Sequence, residues 1–315
     1  MDVVTLGETM VLMAPSVSGP LRFVPTFHRY AAGAESNVAI GLARLGHRVG
    51  WISRLGDDEF GRYILATVRG EGVDVSCVRF DGEAPTGVVF KERRELGRAR
   101  VYYYRRGSAA SRMSPEDLVP EYIAAARYLH VTGITPALSP SCKATVERAI
   151  ELARQAGVRV SFDPNIRLTL WDASTARRTL LPLVASAHVV LPGLDEAQLL
   201  TGEDDPERAA AALLALGPEV AVVKLGADGA LAVTARGERA RVSGLRLARV
   251  VDPVGAGDGF AAGFLAGQLR GMDLAASLDL GAVVGACATT VYGDTEGLPT
   301  WEELQQIRAG HDVYR

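Results

Sequence analysis

Short apolar runs alternate with amphipathic stretches along most of the chain, in the rhythm of strands followed by helices. Val3 to Leu6 reads as a first strand, Val38, Leu42 and Leu45 mark one face of a helix over 35–45, and Val49 to Ile52 returns as a strand. Further strand-like runs fall at 128–131, 158–162, 187–191 and 220–224, with helical segments near 141–156, 174–184 and 206–216 between them. Gly46, Gly157 and Gly217 each stand just past a helix end, where a left-handed cap disfavours any side chain. The pattern predicts an α/β fold: a mostly parallel sheet, apolar on both faces and covered by helices.

Two segments break the rhythm. Residues 11–30 hold Pro15, Gly19, Pro20 and Pro25 without helical periodicity, while 86–90 and 100–105 read as extended strands joined by the charged Lys91 to Arg98 turn. Taken alone they read as ordinary surface hairpins; with the residues below they predict a small β lid, discontinuous in sequence, over 11–30 and 86–106, set on a core of 1–10, 31–85 and 107–312. Such a lid would close over a ligand and keep water from the reacting groups. In the Tyr102-Tyr103-Tyr104 strand, alternation predicts one face packed into the base of the lid and the other offered to a small polar ligand.

Composition narrows the function classes. With 315 residues and 48% apolar content the chain has ample material for a large core. Its 34 basic and 37 acidic residues leave a net charge of -3, so no broad cationic field is available for nucleic acid or an anionic membrane. Cys77, Cys142 and Cys287 lie far apart without metal-ligand spacing, the start lacks a basic region before an apolar run, and no apolar stretch reaches membrane length. A cytoplasmic protein with reduced thiols is expected. All but three of the basic residues are Arg, the lysines being Lys91, Lys143 and Lys224.

The chemistry concentrates in Asp252-Pro253-Val254-Gly255-Ala256-Gly257-Asp258, just ahead of a helix whose Phe260, Phe264, Leu265 and Leu269 recur at helical spacing. Small residues at Gly255, Ala256 and Gly257 leave their amides free to form an anion nest at the positive end of that helix. Asp258 stands in the first turn, placed to accept a proton from a hydroxyl that attacks phosphorus. On its own such a turn is equally a capped helix start, so the rest of the chain must decide.

Other candidates form two groups. Ala32-Gly33-Ala34-Glu35-Ser36-Asn37 opens a helix, with Gly33 and Ala34 as a pocket floor and Asn37 able to bond sugar hydroxyls or, equally, neighbouring backbone groups inside the fold. Arg105 follows the tyrosine run and Arg167 lies in Asp163-Pro164-Asn165-Ile166-Arg167, beyond a strand end; either guanidinium suits a carboxylate or phosphate, or a structural ion pair. On the nucleotide side, Lys224, Gly226 and Gly229 punctuate a strand and tight turn, and Glu196 in Gly193-Leu194-Asp195-Glu196 could hold Mg²⁺ through water. Neither a dinucleotide fingerprint nor a Walker A loop is present.

Taken in order, Ala32–Asn37 and Asp252–Asp258 resemble the two signatures of the ribokinase-like (PfkB) carbohydrate kinases, and the similarity spans almost the whole chain. The resemblance implies a three-layer α/β core with a β lid, ATP and Mg²⁺ as cofactors with K⁺ near the Asp252 loop and the 286–293 region, Asp258 as general base and Gly255–Gly257 as anion hole. Tyr103, Arg105 and Arg167, in YYYRRGSAA and DPNIRLTLW, resemble the branch that phosphorylates 2-keto-3-deoxygluconate, with Asp252 and Asp294 as further substrate residues and Asn165 on the nucleotide side. The family's usual Asn in its N-x-x-E motif is Gly193 here. Fructokinase or another neutral-sugar kinase is the nearest alternative, and a non-catalytic sugar or nucleotide sensor is one of a different class. The apolar lid strands predict a homo-oligomer paired through the lid.

Overall fold

The computed structural model describes residues 1–93 and 100–309; residues 94–98 of the anticipated turn and 310–312 of the anticipated core lie outside these. Nine strands form one sheet in the order Arg239–Val242, Ala230–Thr234, Val220–Lys224, Val189–Val190, Arg159–Asp163, Tyr128–Thr132, Val3–Leu6, Val49–Gly56 and Val78–Asp81. The first three pair antiparallel and the rest parallel. Gly46, Gly157 and Gly217 have φ of +86°, +72° and +138°, as helix ends that turn left-handed require.

Helices cover both faces, which is why the central strands are apolar throughout. Ala34–Arg44, Glu59–Gly70, Ala256–Leu269 and Leu274–Ala288 pack one face around Leu42, Trp51, Phe264 and Leu278. Pro140–Gln155, Ala173–Ser186, Leu194–Thr201 and Pro206–Leu214 pack the other around Val146, Phe162, Leu180 and Leu213. Among the described residues no helix is long and apolar enough to cross a membrane.

The Ala256–Leu269 helix is apolar all round and therefore buried. Its Gly263 and Gly267 face Leu274–Ala288 so closely that an added Cβ would lie 2.6 Å from the Leu280 carbonyl oxygen and 2.8 Å from Ser277 Cα. Two helices locked at small-residue distance give the Asp258 turn a rigid base.

From Val3–Leu6 the next strand of the large sheet, Val49–Gly56, lies on one side and Tyr128–Thr132 on the other, so a crevice opens beyond the carboxyl ends at this change of direction. Over it sits a second sheet of four strands in the order Phe27–Ala32, Met10–Pro15, Val88–Glu92 and Arg100–Tyr104. Leu12, Val89 and Tyr103 share its inner face by register; Met13, Phe90 and Tyr102 share the outer one. One expectation fails here. Tyr102 and Tyr104 are not packed into the lid's base: they lie on the edge strand, where every residue is exposed, Tyr104 at 68%.

Candidate active site

Gly255 has φ +86° and immediately precedes the Ala256–Leu269 helix, and an added Cβ would stand 2.6 Å from the Asp294 carbonyl oxygen. Both facts exclude a side chain. Val254 N–H donates to Asp252 Oδ1 at 3.1 Å, tightening the turn, while among the described residues the amides of Gly255, Ala256 and Gly257 have no protein partner. Three bare N–H groups at a helix start form an anion nest.

Asp258 is 9% exposed, in the helix's first turn. Its Oδ2 accepts from Asn37 Nδ2 at 2.8 Å and its Oδ1 from Asn165 Nδ2 at 3.4 Å, which aims the carboxylate across a span of 221 residues. Burial pushes its pKa up to about 7; the Asn37 bond opposes this, Asp163 and Asp294 add to it, and Arg167 offsets part. A carboxyl poised near neutrality is matched to proton acceptance. Asn165 holds a left-handed φ of 38°, a conformation that asparagine tolerates, with its N–H on Asp163 Oδ1 at 3.2 Å.

Two cavities meet at this turn. One, of about 510 Å³, lies under the lid and is lined by Gly33, Ala34, Asn37, Tyr103, Arg105, Arg167, Asp258 and Asp294 among others. The second, of about 650 Å³ and largely apolar, is lined by Gly226, Gly229, Leu245, Val250, Ala256, Phe260 and Ala286. Lys224, Pro253 and Gly257 belong to both walls, so a ligand in either cavity ends beside the nest. A third space, about 780 Å³, runs past Gly193, Asp195, Glu196 and Arg241 to Lys224 and Gly226.

The cations under the lid differ in how far they are already paired. Arg105 is buried and its guanidinium is engaged by Glu8, through Nε at 2.7 Å and through Nη2, while Ser108 also donates to Glu8. Lys224 Nζ donates to Asp163 Oδ2 at 2.6 Å; burial alone would lower its pKa, but Asp163 and Glu196 raise it. Arg167 is exposed, donates only to its neighbour's carbonyl at 3.3 Å, and has no carboxylate partner among the described residues. It is the cation left for an anionic ligand.

Several residues singled out from sequence are turned elsewhere. Asn37 gives its amide to Asp258, and its Oδ1 accepts Gly33 N–H at 3.4 Å. Asn165 likewise faces Asp258. Asp252 does not line the cavity under the lid: Oδ1 caps Val254 and Oδ2 receives Lys91. Glu196 spends both oxygens on backbone amides, Ile166 at 2.6 Å and Gly193 at 2.8 Å, and burial with Asp163 nearby raises its pKa. Gly33 sits so near Glu8 that a Cβ would lie 2.3 Å from its carbonyl oxygen, which makes the floor bare backbone.

Lys91, Glu8 and Asp163 carry contacts that the sequence analysis missed. Each acts through a partner tens to hundreds of residues away; the one available signal was the scarcity of lysine. Behind the floor, Glu35 accepts from Thr132 and Thr135 at 2.8 Å each, and burial raises its pKa to about 6.

Bare amides, a near-neutral buried carboxyl and abutting cavities suit phosphoryl transfer to a small alcohol. Comparison with known proteins agrees: the pfkB family carbohydrate kinase model matches residues 1–301, and the chain belongs to that family of sugar kinases. It is 44% identical over 306 residues to a 2-dehydro-3-deoxygluconokinase of Bacillus subtilis (strain 168), covering 96% of this chain and 94% of the relative. A 2-dehydro-3-deoxygluconokinase of Thermoproteus tenax is 41% identical, with 97% and 94% covered. A ribokinase II-type protein of E. coli, solved with ATP and Mg²⁺, superposes with a TM-score of 0.92 at 28% identity, covering 98% of this chain and 99% of that one.

Proposed function

We propose that the protein phosphorylates 2-keto-3-deoxygluconate with ATP, giving the 6-phosphate and ADP. The observation that carries this reading is the place of Asp258: a desolvated carboxyl with a pKa of about 7, held by two asparagines where the cavities join. The adenosine end of ATP occupies the apolar cavity, and its terminal phosphoryl group reaches the 255–257 amides. The sugar acid lies under the lid with its carboxylate toward Arg167 and its terminal hydroxyl toward Asp258.

Asp258 takes the hydroxyl proton as the oxygen attacks the γ-phosphorus, and the nest amides bind the charge on the transferred group. Lys224, shared by both cavities, lies alongside the phosphate path. Fixing both substrates in line contributes up to roughly 7–11 kcal/mol of the barrier reduction, more than the base alone.

Among the described residues no group of three or more metal-ligating side chains occurs; a hydrated Mg²⁺ carried in on ATP would be held through its waters by the second lone pairs of the Glu196 carboxylate, whose first bonds go to the Ile166 and Gly193 amides. Bound there, the ion offsets phosphate charge. K⁺ beside the Asp252 loop is part of the same proposal.

A neutral sugar is the second reading, favoured by one observation: the Arg105 charge is already balanced by Glu8. A coupled ADP-release assay over 2-keto-3-deoxygluconate, fructose and ribose, with and without Mg²⁺ and K⁺, decides. Turnover with the sugar acid at least about tenfold above fructose supports the proposal, in line with a charged hydrogen bond to Arg167; preference for fructose overturns the substrate, and ligand binding without any ADP overturns the enzyme.

The same reading takes 11–30 and 86–106 to move as a lid on the 1–10, 31–85 and 107–312 core, and its outer face to pair two copies. Phe27 and Phe90 meet edge-to-face at 5.4 Å and Phe90 and Tyr104 at 5.8 Å, an aromatic cluster that ends in the exposed Tyr104. A Tyr104→Glu variant that stays dimeric in light scattering would rule out that surface.

A further inference from the structure

The inner face of the lid grips the nest's own scaffolding through Lys91. Its ammonium donates to Asp252 Oδ2 and to Asp294 Oδ1, both at 2.8 Å, and the three side chains are only 15%, 12% and 8% exposed. Two residues further along the same segment, the Arg93 guanidinium lies 4.7 Å from the centre of the Tyr292 ring. Residues 88–93 are thus fastened to the 289–294 stretch twice, through Lys91 and through Arg93.

The two acids belong to the segments whose junction shapes the nest. Asp252 opens the turn and caps Val254 with its other oxygen. Asp294 supplies the backbone wall against which Gly255 lies. The carbonyl of Thr289 accepts the amides of Val251 at 2.8 Å and Asp252 at 3.3 Å, joining the same two stretches. One ammonium between two carboxylates draws these stretches together; without it, like charges face each other in a poorly solvated place.

We propose that Lys91 is a positioning residue that couples the lid to the anion nest. With the lid seated, Lys91 holds Asp252 against Asp294 and so fixes the 255–257 amides at phosphoryl-binding geometry. With the lid lifted, the two acids lose their counter-charge and the nest loosens. Phosphoryl transfer is then licensed by the same closure that covers the sugar. The kinetic half of this inference rests on the kinase reading; the geometric half does not.

The test compares Lys91→Met, Lys91→Arg and the double variant Lys91→Met/Asp252→Asn with the parent protein. Hydrogen–deuterium exchange of the 251–258 peptide is followed without ligand, and kcat and both KM values are measured on whichever sugar turns over fastest. Lys91→Met is expected to raise exchange of that peptide about tenfold or more while leaving 220–224 unchanged, because only the junction loosens. Its kcat falls about 10–100-fold, the scale of a small misplacement of catalytic groups, with KM for the sugar changed less than about threefold. Lys91→Arg regains most of the loss, and removing the Asp252 charge restores several-fold of kcat to the Met variant.

Unchanged exchange with unchanged kcat overturns the proposal. So does a rise in sugar KM alone, which makes Lys91 a ligand contact, or a double variant no better than Lys91→Met. If the parent phosphorylates no sugar at all, the kinase reading fails while the exchange result still decides whether Lys91 shapes the nest.

Discussion

The two cavities that meet at the nest are built from opposite materials. Under the lid, cations are held by acids, Arg105 by Glu8 and Lys91 by Asp252 and Asp294, while Arg167 has no carboxylate partner among the described residues and Asp258 is held by two asparagines. Across Lys224 and Gly257 the second cavity offers glycine backbone and small apolar side chains such as Ala282 and Ala286. With the sugar acid under the lid and ATP in the apolar cavity, as proposed, one side would select by charge and hydrogen bonds, whose mismatch leaves buried groups unpaired, and the other by shape, where a lost contact costs little. Changes on the sugar side should therefore be severe and specific, and changes on the nucleotide side mild.

The largest effect is expected at the junction itself. Asp258→Asn removes the base and keeps an acceptor for only one of the two asparagine amides, so turnover falls about 10²–10⁴-fold while ATP affinity, by titration calorimetry, changes little. A turnover near the parent's would remove Asp258 from the chemistry. Next comes Arg167→Ala, which raises the KM for the sugar acid about 10–100-fold, the worth of a charge-assisted contact, and leaves that for fructose nearly unchanged. Equal rises for both sugars would show that Arg167 serves phosphate or structure.

The smallest effect belongs to the apolar cavity. Ala286→Leu fills part of it and is expected to raise the KM for ATP only a few-fold, about 1 kcal/mol, without touching the sugar's. A large change in sugar KM would mean that the two cavities are less separate than their shared wall implies.

How much of this was legible in the sequence follows the same divide between local and distant. The small residues Gly255, Ala256 and Gly257 at the start of an apolar helix were legible, but the same turn reads equally as a capped helix start, and only the fold shows their amides without a protein partner among the described residues. The layered sheet was legible because apolar runs buried on both faces tolerate few alternatives. The pairings were not. Asn37 and Asp258 are joined across 221 residues and Lys91 and Asp294 across 203, and no local pattern marks which donor meets which acid. Arg105 shows the cost of this: a guanidinium beside tyrosines reads equally as a ligand grip or an ion pair, and only the fold brings Glu8 to it. Nor could the apolar cavity be told from core, since Ala282 and Ala286 sit on the Leu274–Ala288 helix at positions that packing alone would also fill with small residues.

Asp258 sits desolvated where the cavities join and keeps its proton to near neutrality. Its pKa of about 7 in the folded protein stands far above the ordinary 3.8, so between these values the unfolded chain has lost a proton that the folded one retains. Stability contributed at this position therefore falls as pH rises from about 4 to 7 and is constant above. Asp258→Asn carries no such loss, and other acids such as Glu35 cancel between the two proteins. The measurement is the difference in melting temperature between Asp258→Asn and the parent across pH 4 to 8.5. The difference is expected to grow in favour of the variant up to about pH 7 and then level; a difference that stays flat over the whole range would contradict a desolvated, proton-retaining Asp258.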